Sequence, residues 1–336
     1  MRTDRLHRLQ LLSVLLGSAT LFFGMAPPSH AQSVAETQLA SDRFILVSPF
    51  PPGGPVDTLA RMLSEGLAKR YHQTAVVENA VGAAGNIGMA RVKRAKPDGH
   101  TLLVIPAGNL TINPTLMKDF PFDVQKDFVP ITMLAKAPNV LVANPNAGIA
   151  NAQELVKRAK ANPDSLSYAS PGIGSGLHLA GELLKQQAGI ELLHVPYNGS
   201  ARALADVLGD AVPLMVSNLP VALPLVKSGK LVALGITDDK RTPMAPDIPT
   251  LAEQGIEGVN VTSWYGLLAP ADTARDVVLQ LATDAAQILA EPDNDERLKL
   301  QGMTATILSP SEFDAYMQDE TARWAKIIKA RNLVAQ

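Results

Sequence analysis

Four segments of this 336-residue chain place glycine, serine and proline where an apolar run gives way to a helical pattern: residues 50–58, 82–88, 170–178 and 196–201. Glycine tolerates positive φ and lets a backbone come close to a bound group. A helix start carries unpaired N–H groups and about half a positive charge. Together they make an anion site that needs no lysine or arginine. In open α/β sheets, ligands bind at such strand ends. Several turns aimed at one cleft would suit a carboxylate. Each turn alone is also an ordinary strand-to-helix connection, in which Ser or Asp caps the helix.

Other chemistries fit the residues less well. Gly172-x-Gly174-x-Gly176 follows a strand and opens a helix, but it lacks the last x-x-Gly of a dinucleotide fingerprint. Glu191 falls at the start of the next strand instead of its end. There is no G-x-x-x-x-G-K-[ST] and no H-E-x-x-H. His72, His100, His178 and His194 stand at no familiar local metal-ligand spacing. Ser175 and His178, three apart at a helix start, raise the alternative of an exported serine hydrolase. No G-x-S-x-G elbow accompanies them, and Ser175 as a helix cap with His178 in the first turn is the simpler reading. Trp264-Tyr265 reads as a packing pair, and Arg91 to Lys96 as a solvated helix face.

Composition narrows the field further. With no cysteine there is no disulfide framework, thiol nucleophile or Cys-ligated metal. Lys plus Arg is 30 against 32 Asp plus Glu, a net charge of −2, so no basic excess is present to neutralise nucleic-acid phosphates. A hydrophobic share of 46% with 18% charged residues is that of a globular protein. The length suits about two domains. Arg2, Arg5 and Arg8, the apolar run Leu9 to Ala26, and Pro27-Pro28-Ser29-His30-Ala31 read as a cleaved secretory signal over residues 1–31. The mature chain then carries 27 basic and 31 acidic residues. Its uncharged stretch Ala211–Val226 holds three prolines and is a poor membrane span. A soluble, exported protein with no stable membrane insertion is expected.

The elements that must position the turns alternate. Strands are expected at 44–49, 74–78, 101–105, 138–144, 166–170, 191–195, 212–217, 231–237 and 267–269. Val56, Leu59, Ala60, Leu63 and Leu67 form one helical stripe after the first turn. Further helices are expected up to Arg94, at 153–161, 177–188, up to Leu208, at 274–290 and at 310–331. Such alternation implies α/β layers with mostly parallel sheets, and no composition break marks a domain boundary.

The ordered motifs carry a resemblance. They are Pro49-Phe50-Pro51-Pro52-Gly53-Gly54-Pro55-Val56-Asp57, Val77-Glu78-Asn79, Gly82-Ala83-Ala84-Gly85-Asn86-Ile87-Gly88 and Pro97-Asp98-Gly99-His100-Thr101-Leu102-Leu103. They continue with Ile112-Asn113-Pro114, Asp127-Phe128-Val129-Pro130, Gly174-Ser175-Gly176-Leu177-His178-Leu179-Ala180-Gly181-Glu182, His194-Val195-Pro196-Tyr197-Asn198-Gly199-Ser200, Asn218-Leu219-Pro220 and Gly229-Lys230-Leu231. From about residue 43 to the C-terminus the chain resembles the tripartite tricarboxylate transporter substrate-binding proteins, the Bug family of periplasmic receptors. The resemblance implies an α/β type II periplasmic-binding-protein fold, with two α/β domains joined by two crossing strands around a ligand cleft. Residues 43–136 with 263–336 would form one domain and 137–262 the other. It implies no catalysis, no cofactor and no metal. A monomer would close on a small organic carboxylate and deliver it to the permease subunits of a tripartite transporter. A ligand-presenting sensor component is the alternative with the same fold.

Carried over by motif position, Phe50, Pro52, Gly53 and Gly54 with Asp57 would line one wall, with Ala107 and Asn109 nearby. Ser170, Gly174, Ser175 and His178 would face them, joined by Tyr197, Asn198 and Gly199, with Asn218 near the base. Ser175 and main-chain amides would donate to the carboxylate. Asp57 reads as a helix-start anchor or as a contact for a donor group. The chain departs from the family at Ala80-Val81, Asn198, Pro213 and Ser217, where Arg-Pro, Lys and acids are common. If Asn198 and Ser217 line the cleft, both lower its charge, which points to a monocarboxylate or aromatic acid.

Overall fold

A computed structural model of the chain describes residues 34–197, 199–330 and 332–333; the expected signal segment, 1–31, and Asn198 lie outside the described residues. The chain forms two sheets. The first contains β1 (Phe44–Ser48), β2 (Ala75–Asn79), β3 (Thr101–Pro106), β4 (Phe128–Ala137), β10 (Ser263–Pro270) and β11 (Thr304–Ala305), in the order β11-β4-β10-β3-β1-β2. The second contains β5 (Asn139–Ala143), β6 (Ser167–Ser170), β7 (Leu193–Pro196), β8 (Leu214–Asn218) and β9 (Val232–Ile236), in the order β7-β6-β8-β5-β9. We propose that the first sheet belongs to the lobe expected from 43–136 with 263–336 and the second to that expected from 137–262.

The expectation of mostly parallel sheets does not hold. β2, β1 and β3 run parallel, as do β7, β6 and β8, but five of the nine pairings are antiparallel. The cause is the crossing strands. β4 leads into β5, and β10 returns from the second sheet, so each sheet receives a strand that enters from its partner and runs against its neighbours. β4 was not among the expected strands because Pro130 interrupts it. β11 pairs only with Ala135 and Lys136, so Pro130 lies where β4 has a single neighbour, beside a register shift at Leu267/Leu268. A proline costs no ladder bond on such an edge.

Helices cover both sheets. The stripe expected after the first turn is buried in full: Val56, Leu59, Ala60, Leu63 and Leu67 all enter the core beneath the first sheet, within the helix Pro55–Tyr71. Leu177, Leu179, Leu183 and Leu184 of the helix Gly176–Ala188 do the same for the second. Each fully buried side chain of this kind contributes about 1.5–3 kcal/mol relative to exposure. Trp264 is buried edge-on to Phe313 and Tyr316 at 5.6 Å, so the Trp264-Tyr265 pair is core. The last helix, Pro310–Ala330, is shared between the lobes. Phe313 and Met317 join the cluster around Trp264, while Trp324 and Ile328 join the cluster of the second sheet.

The two crossings meet at Asn139, which is fully buried. Its Nδ2 donates to Val261 O (2.8 Å), and its Oδ1 accepts from Asn218 Nδ2 (2.8 Å) and Ser263 Oγ (2.9 Å). Its carbonyl accepts from Thr237 N (3.0 Å), whose hydroxyl in turn donates to Val261 O. Replacing Asn139 by Ala strands buried polar groups of both crossings. The expected loss is about 2–4 kcal/mol, read as a lower urea midpoint at unchanged m-value.

Candidate functional site

The sheet orders divide the space between the lobes. β3, β1 and β2 lie on one side of the crossing strands in the first sheet, and β8, β6 and β7 on the same flank of the second. The four glycine-rich turns follow β1, β2, β6 and β7, and the 107–109 segment follows β3, so all open on this flank.

The first wall is knitted from its own polar side chains. Asp57, 3% exposed, accepts from Gly53 N (3.0 Å), Asn79 Nδ2 (3.0 Å) and Arg61 Nε (2.9 Å) and Nη2 (3.1 Å). Burial opposes its ionisation, but Arg61, the Gly53 N–H and Asn79 outweigh burial and hold its carboxyl below the usual range. Asp57 therefore folds the Phe50–Gly54 turn over the helix start, and Pro52 and Gly53 are left exposed at its tip. Gly54 occupies the N-cap position with no side-chain cap, so the first N–H groups keep their polarity for another partner. The second turn is wound through four successive left-handed residues, Gly82 to Gly85, including Ala83 (φ 47°) and Ala84 (φ 51°). Asn109 Nδ2 donates to Ala84 O at 2.7 Å and locks that conformation. Alanine there costs about 1–2 kcal/mol per residue, and strain of this kind collects at ligand sites.

The second wall is built the same way. Ser175 is the N-cap of Gly176–Ala188: its Oγ accepts from His178 N (3.1 Å) and donates to Gly172 O (2.8 Å). Its single proton is thus spent inside the turn, and the expected donation to a carboxylate falls to main-chain N–H groups. Ser170, fully buried, bonds His194 Nε2 at 2.7 Å and accepts from Gly172 N at 3.2 Å. His178 Nδ1 accepts from Gly174 N (3.3 Å), and its ring stacks on His194 with centroids 4.1 Å apart. Gly199 N donates to Pro171 O (2.9 Å), and Tyr197 N to Ser170 O (3.0 Å). Burial, then Lys185, presses His178 down to about 4. Burial, then the neighbouring His178, presses His194 down to about 3, against an opposing pull from Glu182. Both imidazoles are neutral at pH 7.

The walls touch. A Cβ on Gly108 would lie 2.5 Å from Gly174 O, and one on Gly174 would lie 2.3 Å from Asn113 Oδ1. Only glycine permits that approach. Ala107, Gly108 and Asn109, all buried, open a π-helical segment whose continuation carries Ile112 and Leu116 into the core of the second lobe.

Asn218, expected near the base, and two of the departures lie on or beside β8. Asn218 sits at the crossing, its amide committed to Asn139 and Ser263 (3.0 Å). Ser217 is fully buried and its hydroxyl donates to Asn218 O. Pro213 precedes β8 at the end remote from the turns, where its carbonyl accepts from Asn144 N. Ser217, buried in this way, does not lower the charge of the cleft; Asn198, the other departure expected to do so, lies outside the described residues. Asn79, Asn113 and His194 were not among the expected site residues. Each stood in a quoted motif, but nothing local revealed what it would touch. His178 meets Ser175 Oγ with its main-chain N–H, not with its ring, so the two do not form a nucleophile–base pair. Among the described residues no cluster of three or more His, Asp or Glu could hold a metal, and no helix is long and apolar enough to cross a membrane.

Residues 59–333 match the family described as tripartite tricarboxylate transporter family receptor. The chain is 33% identical to protein BugT of Bordetella pertussis over 319 residues, 95% of this chain and 96% of BugT. The solved structure of periplasmic binding protein BugD superposes with a TM-score of 0.78 at 35% identity, covering 88% of this chain and 99% of BugD. R. palustris Rpa4515, solved with adipate, gives 0.81 at 32% identity over 88% of this chain and 98% of its own. MatC from Rhodopseudomonas palustris, solved with bound malate, gives 0.77 at 31% over 85% and 99%.

Two outcomes follow from the site. Ser175→Ala removes a helix cap, for an expected loss of about 1 kcal/mol in urea unfolding, and leaves ester turnover at the background rate. The histidine pair makes stability pH-dependent. Both folded values lie below the ordinary histidine value near 6.5, so their contribution is complete above about pH 6.5 and is lost as pH falls toward about 4 for His178 and about 3 for His194. The melting temperature should fall over that window, and less steeply in His194→Gln, which keeps a partner for Ser170. An equal slope in the variant would show that His194 is already protonated in the native state.

Proposed function

The chain belongs to the tripartite tricarboxylate transporter receptor family of periplasmic solute-binding proteins, and from that premise we propose that it captures a small organic carboxylate between its lobes and hands it to the transporter's membrane subunits. The observation that carries this reading is the convergence of glycine-rich turns from both sheets on one flank, with Gly108 of one lobe in contact with Gly174 of the other. Phe50, Pro52, Gly53, Gly54, Ala107 and Asn109 line one side of this site. Ser170, Gly174, Ser175, His178, Tyr197 and Gly199 line the other; Asn198, expected with them from its motif, lies outside the described residues. Asp57 acts through the turn it holds, and Asn218 through the crossing.

No lysine or arginine is among these residues. The carboxylate is held by main-chain N–H groups at helix starts, whose fixed dipoles favour an anion without a counter-charge. Such donors are strongest with water excluded, so affinity depends on closure. A ligand touching both walls favours the closed arrangement by the difference in its affinity for the two states. Export with cleavage after about residue 31 places the receptor in the periplasm as a monomer. The adipate and malate of the two related structures make a small dicarboxylate the first class to test, ahead of the monocarboxylates.

The deciding experiment is mass spectrometry of small molecules released from protein purified without denaturation, followed by titration calorimetry with adipate, malate, citrate and benzoate. A carboxylate among the released molecules and micromolar or tighter binding of at least one of these acids are expected. Absence of both would sink the reading.

A further inference from the structure

The opposite flank of the crossing strands holds a second interlobe space. A crevice of about 670 Å³ opens there, between the β11–β4 edge of the first sheet and the β9 edge of the second. Its first-lobe wall includes Lys136, at the end of β4, and Tyr316, Glu320 and Arg323 on one face of the last helix. Its second-lobe wall includes Asp238 and Asp239, just after β9. None of the glycine-rich turns reaches it.

Three of its charges are paired: Arg241 with Glu253 (2.8 Å), and Arg323 with Glu320 (3.1 Å), Arg323 also donating to Asn260 O. On the second-lobe wall Asp239 accepts from the neutral Asn260 Nδ2, and Lys240 beside it forms no ion pair among the described residues. Lys136 and Asp238 stand on opposite walls and are not neutralised. The Lys136 ammonium rests over the Tyr316 ring, 4.9 Å from its centroid, and forms no ion pair among the described residues. Asp238 accepts from the Thr262 hydroxyl (2.8 Å) and the Asp239 N–H (2.8 Å), both neutral donors, and forms no ion pair among the described residues either. Tyr316 lines the same crevice, and burial, then Glu320, with Arg323 opposing and Asp238 adding, pushes its hydroxyl up to about 12.

A hinge between two spaces works as a lever. Rotation about the crossing strands that separates Gly108 from Gly174 on the ligand flank must narrow the crevice behind. We propose that Lys136 and Asp238 are positioning residues that pair when the ligand flank opens, so the ligand-free receptor is held open by an ion pair on the far side of its hinge. The proposal rests on the lobe-closing reading above, but not on which carboxylate is bound. A half-exposed pair of this kind shifts an equilibrium by about two- to fivefold, and salt screens it.

The absence of native cysteine allows a direct test on ligand-free full-length protein. Val76→Cys on β2 and Leu193→Cys on β7, at exposed edge positions far from the hinge, take a donor–acceptor dye pair. Single-molecule energy transfer then reads the ratio of closed to open molecules. In the parent, raising NaCl from about 50 to about 500 mM should increase that ratio about two- to fivefold. Lys136→Met and Asp238→Asn should each produce the increase at low salt and abolish the salt response. The exchange Lys136→Asp with Asp238→Lys should restore both. Distance distributions and salt responses equal to the parent's in both single variants would overturn the proposal. So would an exchanged pair that behaves like the single variants.

Discussion

Two strands that pass between lobes must bury peptide groups where neither sheet can satisfy them. That constraint is met largely by one side chain. Asn139 donates to Val261 O across the second crossing and accepts from Asn218 and Ser263, while its own carbonyl takes the Thr237 N–H. Each of these groups would otherwise lose water without a replacement, at about 1–3 kcal/mol apiece. The network binds both crossings into one rigid pivot. The position of each sheet, and of every turn at a strand end, is measured from it.

Around that pivot, polar side chains are used to shape backbone. Asp57 and Asn79 hold the first turn, Asn109 holds the second, and Ser170, Ser175, His178 and His194 hold the third. The surface we propose for the ligand is consequently main chain. A carboxylate recognised by N–H groups requires no buried cation, whose desolvation in the empty site would cost several kcal/mol. The neutral histidine pair follows the same logic. An imidazole that must accept the Gly174 N–H cannot be protonated at Nδ1, and its burial ensures that it is not.

The pivot also makes the two interlobe spaces interdependent. One is lined by glycine-rich backbone and admits contact as close as Gly108 against Gly174. The other is lined by long charged side chains and is wide. The last helix crosses behind both lobes, with Phe313 in one core and Ile328 in the other, and so ties the spacing of the second space to the packing of the first.

Sequence alone determined much of this protein. The amphipathic stripe Val56–Leu67, the short apolar strands and the recurring glycine-rich helix starts are local patterns, and their periodicity suffices to place α/β elements and an anion-suited turn at each strand end. The ordered motifs were specific enough to identify the family. What sequence could not show was register and neighbourhood. β4 was hidden because Pro130 is tolerable only where the strand lacks a second partner, which is a property of the sheet and not of the strand. The antiparallel pairings were hidden because direction depends on a chain that leaves one lobe and returns. Asn218 was expected near the base of the cleft and Ser217 beside it as a departure from the family; one lies at the pivot and the other in the core. Tertiary structure alone decided which polar groups hold the backbone, because a hydrogen bond between residues such as Asn139 and Ser263, 124 positions apart, leaves no trace in either local sequence.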